Sequence, residues 1–456
     1  MLHYVRMLLV LSLVATACRG SEAEPDSNTP ADASADAGTG GPDGSVTGPD
    51  SSSGTFFLDL SSNFVEPSIA TDADGGVHVA YRAYTSVDGK YPVRYAYCAS
   101  RCGEADSWIA FDIGLSGIGG AFPSLALDAA GRPHVAWFRS DDWLGSDGAF
   151  WLARCEAGCS QPASWTAGEA FQTEALSPEG DRYFGIDPGG SAVIVHRGAS
   201  TALFASCTQG CTDAAGWRQT DLSIRRGYNF AVAFAGPGKP RFAFTSEGDL
   251  YYFECGGNCG DASSWSGGGL FGIGSGGRFD LRTDRSGRPR IALYEGYLAD
   301  APQNEKTYYA WCDSGCSAAS AWSSALVDVP DRFGEEGLAL VMDADDRPWI
   351  AGGIDDYMQS LYGVGIAICD QGCESDGAQW RSVLVASVDD LEASDPVPVA
   401  SGCSISVWNV VGKDVSLSLD PAGQPRLAYG ATHGQGGSCS VHDDLALIRL
   451  TVLASD

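Results

Sequence analysis

Two stretches of the chain are close copies of each other: PSIATDADGGVHVAY at Pro67–Tyr81 and PSLALDAAGRPHVAW at Pro123–Trp137. Each has an apolar run, a turn with Asp and Gly, and a second apolar run. Asp accepts hydrogen bonds from nearby backbone N–H groups and Gly tolerates positive φ, so the pattern predicts strand, tight turn, strand. Five further copies occupy 184–196, 230–244, 280–294, 338–352 and 415–429. We interpret the aspartates at these turns as turn residues and not as catalytic groups.

A second element follows six of the seven copies. It consists of Cys-x-x-x-Cys and then a tryptophan, with strand-like segments before the cysteines and after the tryptophan. The cysteine pairs are Cys98 with Cys102, Cys155 with Cys159, Cys207 with Cys211, Cys255 with Cys259, Cys312 with Cys316, and Cys369 with Cys373. The tryptophans are Trp108, Trp165, Trp217, Trp265, Trp322 and Trp380, which we expect to pack as core residues.

A repeat of four short strands without helical periodicity indicates an all-β propeller. Because seven copies are present, the sequence predicts a seven-bladed β-propeller of four-stranded blades over residues 55–456. Apolar runs such as Val79-Ala80-Tyr81 and Val135-Ala136-Trp137 support this fold, since a strand covered on both faces is apolar throughout and does not alternate. A series of β-sandwich domains is the main alternative, but linkers between the units are missing.

The ends of the chain predict how the ring closes. The last copy is followed by one further apolar segment near Leu445–Leu453, and no fourth strand precedes Asp456. The segment TFFLDL at Thr55–Leu60 matches the missing fourth strand. We therefore expect this N-terminal strand to pair into the last blade.

Residues 1–54 have the composition of an export signal and a linker. Arg6 precedes an apolar stretch that is too short to span a membrane. The segment Val14-Ala15-Thr16-Ala17-Cys18 resembles the lipobox of bacterial lipoproteins, although Ala15 stands where leucine is usual. The resemblance implies a signal peptide at 1–17, a lipid on Cys18 and a cell-envelope location, with the outer membrane preferred. Residues 18–54 are rich in Ser, Gly, Pro and Asp and are expected to be a disordered linker.

The charge of the chain excludes several partners. With 58 acidic and 28 basic residues, the formal net charge is −30. Binding to nucleic acid is excluded because phosphate contacts would be repulsive. We expect contact with a membrane only through the lipid anchor, and a monomer.

The 15 cysteines fit an oxidising compartment. We expect six local disulfides in the Cys-x-x-x-Cys pairs and a seventh between Cys403 and Cys439, which leaves Cys18 for the lipid. Zinc is the alternative for the pairs, but no histidine recurs beside them. Neither Asp72-x-Asp74 nor Asp343-x-Asp345-Asp346 completes a calcium loop, so we expect no cofactor and keep calcium as an alternative. His78 and His134 share one position after the turn and are interpreted as packing residues.

Candidate binding residues lie in the loops that enter the inner strands. Arginine stands beside an aromatic residue in Arg182-Tyr183, Arg226-Gly227-Tyr228, Arg278-Phe279 and Arg332-Phe333, and Glu335 follows the last of these. Trp143 lies in another varied loop expected at the same end. Guanidinium groups with aromatic rings and acids suit a carboxylated or hydroxylated ligand. The alternative interpretation is that these arginines only brace loops.

The strand–turn–strand repeats resemble those of secreted bacterial propellers of the sialidase superfamily, over residues 64–453. The sialidase motif S-x-D-x-G-x-x-W is not matched, since the usual spacing here is Asp-x-x-Gly and no Trp follows. Sialidase activity would need an arginine triad, a Tyr/Glu pair and an acidic residue; no Tyr/Glu pair can be assigned from the sequence.

No nucleophile motif such as GxSxG or HExxH occurs. We therefore expect no catalytic residue and predict a binding module for a glycan, a peptide or a partner protein. A glycoside hydrolase on the same scaffold and a structural envelope protein are the alternatives.

Overall fold

The computed structural model describes residues 56–62, 66–83, 90–118, 120, 122–141, 148–173, 182–272, 277–296, 305–330, 332–356, 361–394, 405–436 and 445–452. These residues form 28 β-strands, one short α-helix and five single 3₁₀ turns. None of the helices among them is long and apolar enough to cross a membrane. The signal peptide, Cys18, the linker, Trp143, Cys403 and Cys439 lie outside the described residues.

The strands are arranged as antiparallel sheets of four. Strand β1 covers Phe56–Ser62 and precedes six groups of four consecutive strands, which we number as blades one to six. Blade one is β2 (Ser68–Thr71), β3 (Val77–Arg82), β4 (Pro92–Cys98) and β5 (Ile109–Leu115). Blade two is β6 (Ser124–Leu127), β7 (Pro133–Arg139), β8 (Gly148–Cys155) and β9 (Trp165–Thr173). Blade three is β10 (Phe184–Ile186), β11 (Ala192–Arg197), β12 (Thr201–Cys207) and β13 (Trp217–Arg225).

The second half of the chain continues the pattern. Blade four is β14 (Tyr228–Phe234), β15 (Pro240–Ser246), β16 (Asp249–Cys255) and β17 (Trp265–Gly272). Blade five is β18 (Arg278–Thr283), β19 (Pro289–Glu295), β20 (Lys306–Trp311) and β21 (Ser323–Leu326). Blade six is β22 (Phe333–Met342), β23 (Pro348–Asp356), β24 (Leu361–Gln371) and β25 (Gln379–Ser387). Helix α1 (Val388–Ser394) leads to β26 (Ile405–Leu419), β27 (Pro425–Gly436) and β28 (Leu445–Val452).

The structure corrects the expected count of seven blades. Six blades, not seven, are built from four consecutive strands, and each of these six carries one Cys-x-x-x-Cys pair after its third strand. The remaining strands form a composite sheet in the order β1-β28-β27-β26. It differs from the blades because the seventh copy has no Cys-x-x-x-Cys motif and because its outer strand is β1, from the other end of the described chain. The expectation of an all-β propeller with four-stranded antiparallel blades is confirmed.

The composite sheet joins the two ends of the described chain. Phe56 of β1 lies opposite Leu450 of β28, which agrees with the pairing expected for Thr55–Leu60. Leu58 packs against the core of blade one together with Trp108. Strand β1 therefore ties the last strands of the chain to the first blade.

The turn aspartates have the role predicted from the sequence. In blade one, Asp72 Oδ1 accepts hydrogen bonds from the N–H groups of Asp74 at 2.9 Å and Gly76 at 2.7 Å. The same two bonds recur at Asp128, Asp187, Asp284, Asp343 and Asp420. Each carboxylate thereby satisfies two N–H groups that the turn leaves without a strand partner.

The second oxygen of the turn carboxylate, Oδ2, contacts the residue that stands six positions after the aspartate in several of the copies. Six residues after the aspartate, His78, Arg290 and Arg426 reach Oδ2 of their own turn aspartate at 3.1, 3.0 and 2.7 Å. Trp349 donates to Asp343 at 3.3 Å, and His134 lies 3.6 Å from Asp128. This position therefore holds the turn to the start of the second strand.

The second strands are buried on both faces, as their apolar runs predict. Val79, Ala80 and Tyr81 have no exposed surface, and neither have Val135, Ala136 and Trp137. Neighbouring blades bury these strands, because Ala80 of blade one and Val135 of blade two belong to the same hydrophobic cluster. The cores of the blades are thus shared between neighbours.

All six Cys-x-x-x-Cys pairs form the expected local disulfides, and the zinc alternative is thereby set aside. The bonds are Cys98–Cys102, Cys155–Cys159, Cys207–Cys211, Cys255–Cys259, Cys312–Cys316 and Cys369–Cys373. Each closes a loop at the end of the third strand of its blade. The seventh expected disulfide, between Cys403 and Cys439, stays a prediction.

The disulfide loop fixes a tryptophan that joins two blades. In blades one to five, the indole N–H of the following tryptophan donates to the carbonyl of the second cysteine at 2.7–3.1 Å. In blades two, four, five and six the indole ring lies 4.4–6.0 Å from an aromatic ring on the third strand of the preceding blade. The tryptophans therefore pack as core residues, as expected.

Removal of residues 55–62 should destabilise the whole propeller, because it deletes β1 and leaves the edge of β28 and the core near Trp108 exposed. We expect a fall of the melting temperature by several degrees or more, measured by calorimetry. Removal of residues 19–30 from the expected linker is the control and should leave the melting temperature unchanged. Equal melting temperatures for the two truncations would contradict the closing role of β1.

Acid should destabilise the protein through a buried histidine. His196 on β11 is buried, lies 4.8 Å from the ring of Phe150, and its pKa is lowered to about 4 because burial disfavours the charged imidazolium. In the unfolded chain the histidine pKa is about 6.5. The stabilisation is therefore complete above pH 6.5 and is lost as the pH falls towards 4, by about 3 kcal/mol.

Urea unfolding of the wild type and of His196→Phe between pH 8 and pH 4 measures this effect. The difference in free energy of unfolding between the two proteins should change by about 3 kcal/mol over this range in favour of the variant. Parallel curves for the two proteins would contradict the assignment.

Candidate functional site

The four arginines predicted to bind a ligand belong to connections at one end of the blades. In an antiparallel sheet of consecutive strands, successive connections lie at alternate ends. The Asp turns and the disulfide loops share one end, which we call the turn face. The other end, the loop face, holds the connections into the inner strands β10, β14, β18 and β22, and hence Arg182, Arg226, Arg278 and Arg332. The structure separates these residues into three environments.

Arg182 crosses the central channel and does not point to the loop face. Its guanidinium lies 2.7 Å from Asp280 of blade five and 3.4 Å from the carbonyl oxygen of Val415 on β26. Arg182 itself belongs to blade three, so these contacts span the axis. The Asp280 side chain is fully buried and that of Arg182 is 10% exposed.

Asp280 also links blades five and six. Its Oδ2 accepts a hydrogen bond from the N–H of Leu340 at 2.7 Å, while Arg282 donates to the carbonyl of the same residue at 2.8 Å. Asp280 therefore connects Arg182 with the inner strand of blade six. Arg182 and Asp280 form a structural brace rather than a surface site.

Tyr183 is also a structural residue. It is fully buried, and its hydroxyl lies 2.8 Å from the carbonyl oxygen of Phe122 and 3.2 Å from that of Ala136, both of blade two. The phenol thus donates to the preceding blade and does not contact a ligand from solvent.

Arg332 and Glu335 belong to an acidic cluster between blades five and six. Arg332 holds Glu305 through two contacts of 2.7 and 3.2 Å and lies 3.8 Å from Glu335. Glu335 in turn hydrogen bonds to the phenol of Tyr294. This is a Tyr–Glu pair of the kind that the sequence alone could not assign.

The phenol of that pair is not prepared for nucleophilic attack. Tyr294 is 1% exposed, and its pKa is raised, first by burial and then by the negative charges of Glu335 and Glu305. A nucleophilic tyrosine needs the opposite shift and access to substrate. Arg278 lies directly opposite Tyr294 in the β18–β19 pair and is half-buried.

Arg226 and Tyr228 form a basic patch with two arginines that sequence reasoning missed, Arg197 and Arg225. Arg197 ends β11, and its guanidinium lies 4.4 Å from the centroid of the Tyr228 ring. Arg225 stands over Tyr251 at 5.4 Å and contacts Glu247 at 2.8 Å. Arg226 is exposed. We call Arg197, Arg225, Arg226 and Tyr228 the basic patch.

One glycine lets the patch form. A Cβ placed on Gly227 would lie 1.9 Å from Cδ2 of Phe244, so only glycine allows the connection to pass this buried ring. The connection thereby delivers Arg226 and Tyr228 beside the end of β11. The spacing Arg-Gly-Tyr was the available sequence signal, whereas the approach of Arg197 depends on contact between two blades.

The electrostatics of the patch are unusual for so acidic a protein. Arg197 is 9% exposed, and its guanidinium has no hydrogen bond or ion pair with any described residue. The exposed Glu247 is the one acidic residue in ion contact with the described arginines of the patch. The nitrogens of Arg197 are not among the buried polar atoms that lack a partner, so an anion from solvent can reach them. The patch is therefore a site that a negatively charged group would stabilise.

A cavity of about 670 Å³ lies at the loop-face end of blade two. Its described lining includes Trp151, Glu169, Gln172 and Arg139, with the Arg139 guanidinium 4.9 Å from the Trp151 ring centroid. Asp141 also lines it and directly precedes the loop that contains Trp143. An aromatic ring flanked by carboxylate, amide and guanidinium groups suits a hydroxylated ligand. Trp151 and Glu169 were missed because they meet only through the β8–β9 register.

No group of three or more His, Cys, Asp or Glu side chains that would hold a metal ion occurs in the described part of the chain. Asp72 and Asp343, which suggested calcium in the sequence, direct Oδ1 to backbone N–H groups of their turns. These oxygens therefore already have protein partners.

Replacement of one member of the Arg182–Asp280 brace should be strongly destabilising. Asp280→Leu leaves the guanidinium of Arg182 buried without its carboxylate, and we expect a loss of about 3–5 kcal/mol in urea unfolding. The double variant Arg182→Met/Asp280→Leu removes both charges of the pair and should recover part of this loss, while the N–H of Leu340 and the guanidinium of Arg282 still lack the carboxylate. A double variant less stable than Asp280→Leu would contradict the pairing.

Comparison with known proteins gives similarity of fold only. No protein-family model matches the sequence, and no curated protein matches it. Similar solved structures include a Dyadobacter fermentans protein of unknown function, with 11% identity, a TM-score of 0.44, and coverage of 88% of this chain and 100% of the other. They include the NanB sialidase of Streptococcus pneumoniae, with 9% identity, a TM-score of 0.45 and coverage of 86% and 68%. A PL25 polysaccharide lyase described as an ulvan lyase has 11% identity, a TM-score of 0.48 and coverage of 85% and 94%.

Proposed function

We propose that this protein is a binding module that holds an acidic glycan at its loop face through the basic patch. The observation that carries the proposal is the Arg197 guanidinium, which lies 4.4 Å from the centroid of the Tyr228 ring and has no anionic partner among the described residues. A carboxylate or sulfate group would supply the missing charge and charge-assisted hydrogen bonds. Exposed Arg226 would give the second contact.

The surroundings of the patch favour single anionic groups over a polyanion. A net charge of −30 repels a dense row of phosphates, as in nucleic acid. A glycan with carboxylates or sulfates spaced along it can place one group on the patch at a smaller electrostatic cost. The mixed aromatic and polar cavity of blade two favours a hydroxylated ligand over a peptide.

A glycoside hydrolase is the second candidate, and one observation favours it. Tyr294 and Glu335 form a hydrogen-bonded pair close to Arg332 and Arg278, which are groups that a sialidase-like reaction would use. The burial and the raised pKa of Tyr294 argue against this reaction, as does the engagement of Glu305 by Arg332. We therefore prefer binding without turnover.

The proposal also concerns location. With a lipid on Cys18 and a linker over residues 18–54, the propeller would stand outside the cytoplasm at the bacterial cell envelope, as a monomer held by its lipid alone. The six disulfides support an oxidising compartment. Metabolic labelling with a palmitate analogue, compared between the wild type and Cys18→Ala, would test the anchor.

A glycan array with acidic and neutral glycans, followed by calorimetric titration of the best ligand, tests the function. Arg226→Ala should weaken binding of acidic glycans about tenfold or more, because one charge-assisted contact is lost. Arg101→Ala is the matched control, since Arg101 is an exposed arginine of the turn face, and it should leave affinity unchanged.

Three results would contradict the proposal. Binding that is equal for acidic and neutral glycans would remove the role of the patch. Hydrolysis in a panel of fluorogenic glycosides would identify an enzyme. Absence of glycan binding, with capture of a defined protein, would point to a protein partner or a structural role.

A further inference from the structure

The cavity at the loop-face end of blade two contains an aromatic residue that the other blades do not share. Trp151 lines this cavity and stands four positions before the first cysteine of the disulfide loop. The residues at the same position in the other five blades are Arg94, Leu203, Tyr251, Tyr308 and Gly365. The repeat therefore does not require a tryptophan here, and the role of Trp151 is particular to blade two.

A shift in strand register brings two polar side chains to Trp151. Glu169 of β9 lies directly opposite Trp151 of β8, and the register shifts beside this pair so that Ala170 has no partner on β8. Glu169 and Gln172 are three residues apart and would point to opposite faces of a regular strand. Because of the extra residue, both of them line the cavity with Trp151.

The polar groups of this wall are open to a ligand. The indole N–H of Trp151 donates to none of the described residues and is not among their buried polar atoms that lack a partner, so solvent reaches it. The same holds for the carboxylate of Glu169. Gln172 is exposed, and its amide can both donate and accept. The cavity thus offers an apolar ring beside a donor, a carboxylate and an amide.

The charges around the cavity balance. Its described lining carries one cation, Arg139, and two carboxylates, Asp141 and Glu169. The Arg139 guanidinium lies over the Trp151 ring and 4.0 Å from Asp141. Asp141 also contacts Lys90 of blade one at 3.1 Å. Two cations therefore stand beside two carboxylates, so an anionic ligand gains no net Coulomb attraction here, in contrast to the basic patch.

We propose that this cavity is a subsite for a neutral sugar residue. The C–H groups of a pyranose ring pack against Trp151, and neighbouring hydroxyl groups donate to Glu169. The indole N–H and the amide of Gln172 bind further sugar oxygens. The cavity volume of about 670 Å³ lies within the range of small-molecule sites. The inference rests on the proposed glycan-binding function and adds that the glycan carries neutral sugars beside its acidic ones.

Calorimetric titration of the full chain with cellotriose, mannotriose and galactotriose tests the subsite. At least one of them should bind with a stoichiometry of one and a dissociation constant of about 1 mM or lower. These probes carry no charge for the basic patch to hold. Absence of binding for all three at ~10 mM would overturn the subsite and leave the acidic-glycan function standing. Failure of the acidic glycans alone would overturn the function of the patch and not this subsite.

Three variants locate the sugar, and each is first checked for an unchanged circular dichroism spectrum. Glu169→Gln should weaken binding about tenfold, because a charge-assisted hydrogen bond is lost. Trp151→Ala should weaken it further, and Trp151→Phe, which keeps an aromatic ring, should bind more tightly than Trp151→Ala. Glu156→Gln is the matched control, since Glu156 is an exposed glutamate at the turn face of the same blade, and it should bind as the wild type does. Unchanged binding in Glu169→Gln and Trp151→Ala would place the sugar elsewhere and overturn the proposal.

Discussion

The inner strand of every blade has one edge that faces the axis and has no further strand to pair with. Unpaired N–H and C=O groups in a channel are costly, and the propeller satisfies several of them with side chains from the preceding blade. Ser68 supplies an acceptor for the N–H of Leu125, and Asp280 does so for the N–H of Leu340. Arg282 returns a hydrogen bond to the carbonyl of Leu340. The ring therefore depends on polar side chains near the axis as much as on the apolar contacts between blades.

The outer part of each blade is held by a different device. The disulfide loop after the third strand positions a tryptophan. In blade five the N–H of Trp322 donates to the carbonyl of Cys316, and the indole ring reaches Tyr252 of the preceding blade. A ring of about five residues closed by a disulfide contributes only about 2 kcal/mol through chain entropy. Its larger effect is to hold the indole where it can pack. The two devices, polar at the axis and aromatic at the periphery, together leave the connections at the loop face free to vary.

Much of the fold follows from local sequence patterns, because its elements are local. The turn at Asp128 and the disulfide Cys155–Cys159 are closed by residues that are close in sequence. The number of blades was predicted wrongly, since the strand–turn–strand copies number seven while six blades consist of consecutive strands. The number of blades with four consecutive strands equals the number of Cys-x-x-x-Cys loops, which is six. The sequence shows that His78 and Arg290 occupy the same position of the repeat. Their contacts with the turn aspartates could not be predicted, because these contacts depend on the geometry of the strand end.

The candidate site was predicted less well, because side-chain partners there come from distant parts of the chain. Arg182 was expected at the loop face, and nothing near it in sequence indicates Asp280 or Val415. Arg197 was overlooked because it lies in an otherwise apolar strand, and Tyr228, its partner, belongs to another blade. The roles of Trp143, Cys403 and Cys439 remain predictions.

The composite sheet has a consequence for the order of folding. During synthesis β1 emerges before the blades, yet the strand with which it pairs, β28, is made after all six of them. Until then β1 is an unpaired strand with apolar residues such as Leu58, which is the kind of segment that associates with other chains. Nascent molecules therefore pass through a long interval in which the first described strand must be kept from wrong partners. The final closure joins distant segments of the described chain, and contacts between distant segments form slowly.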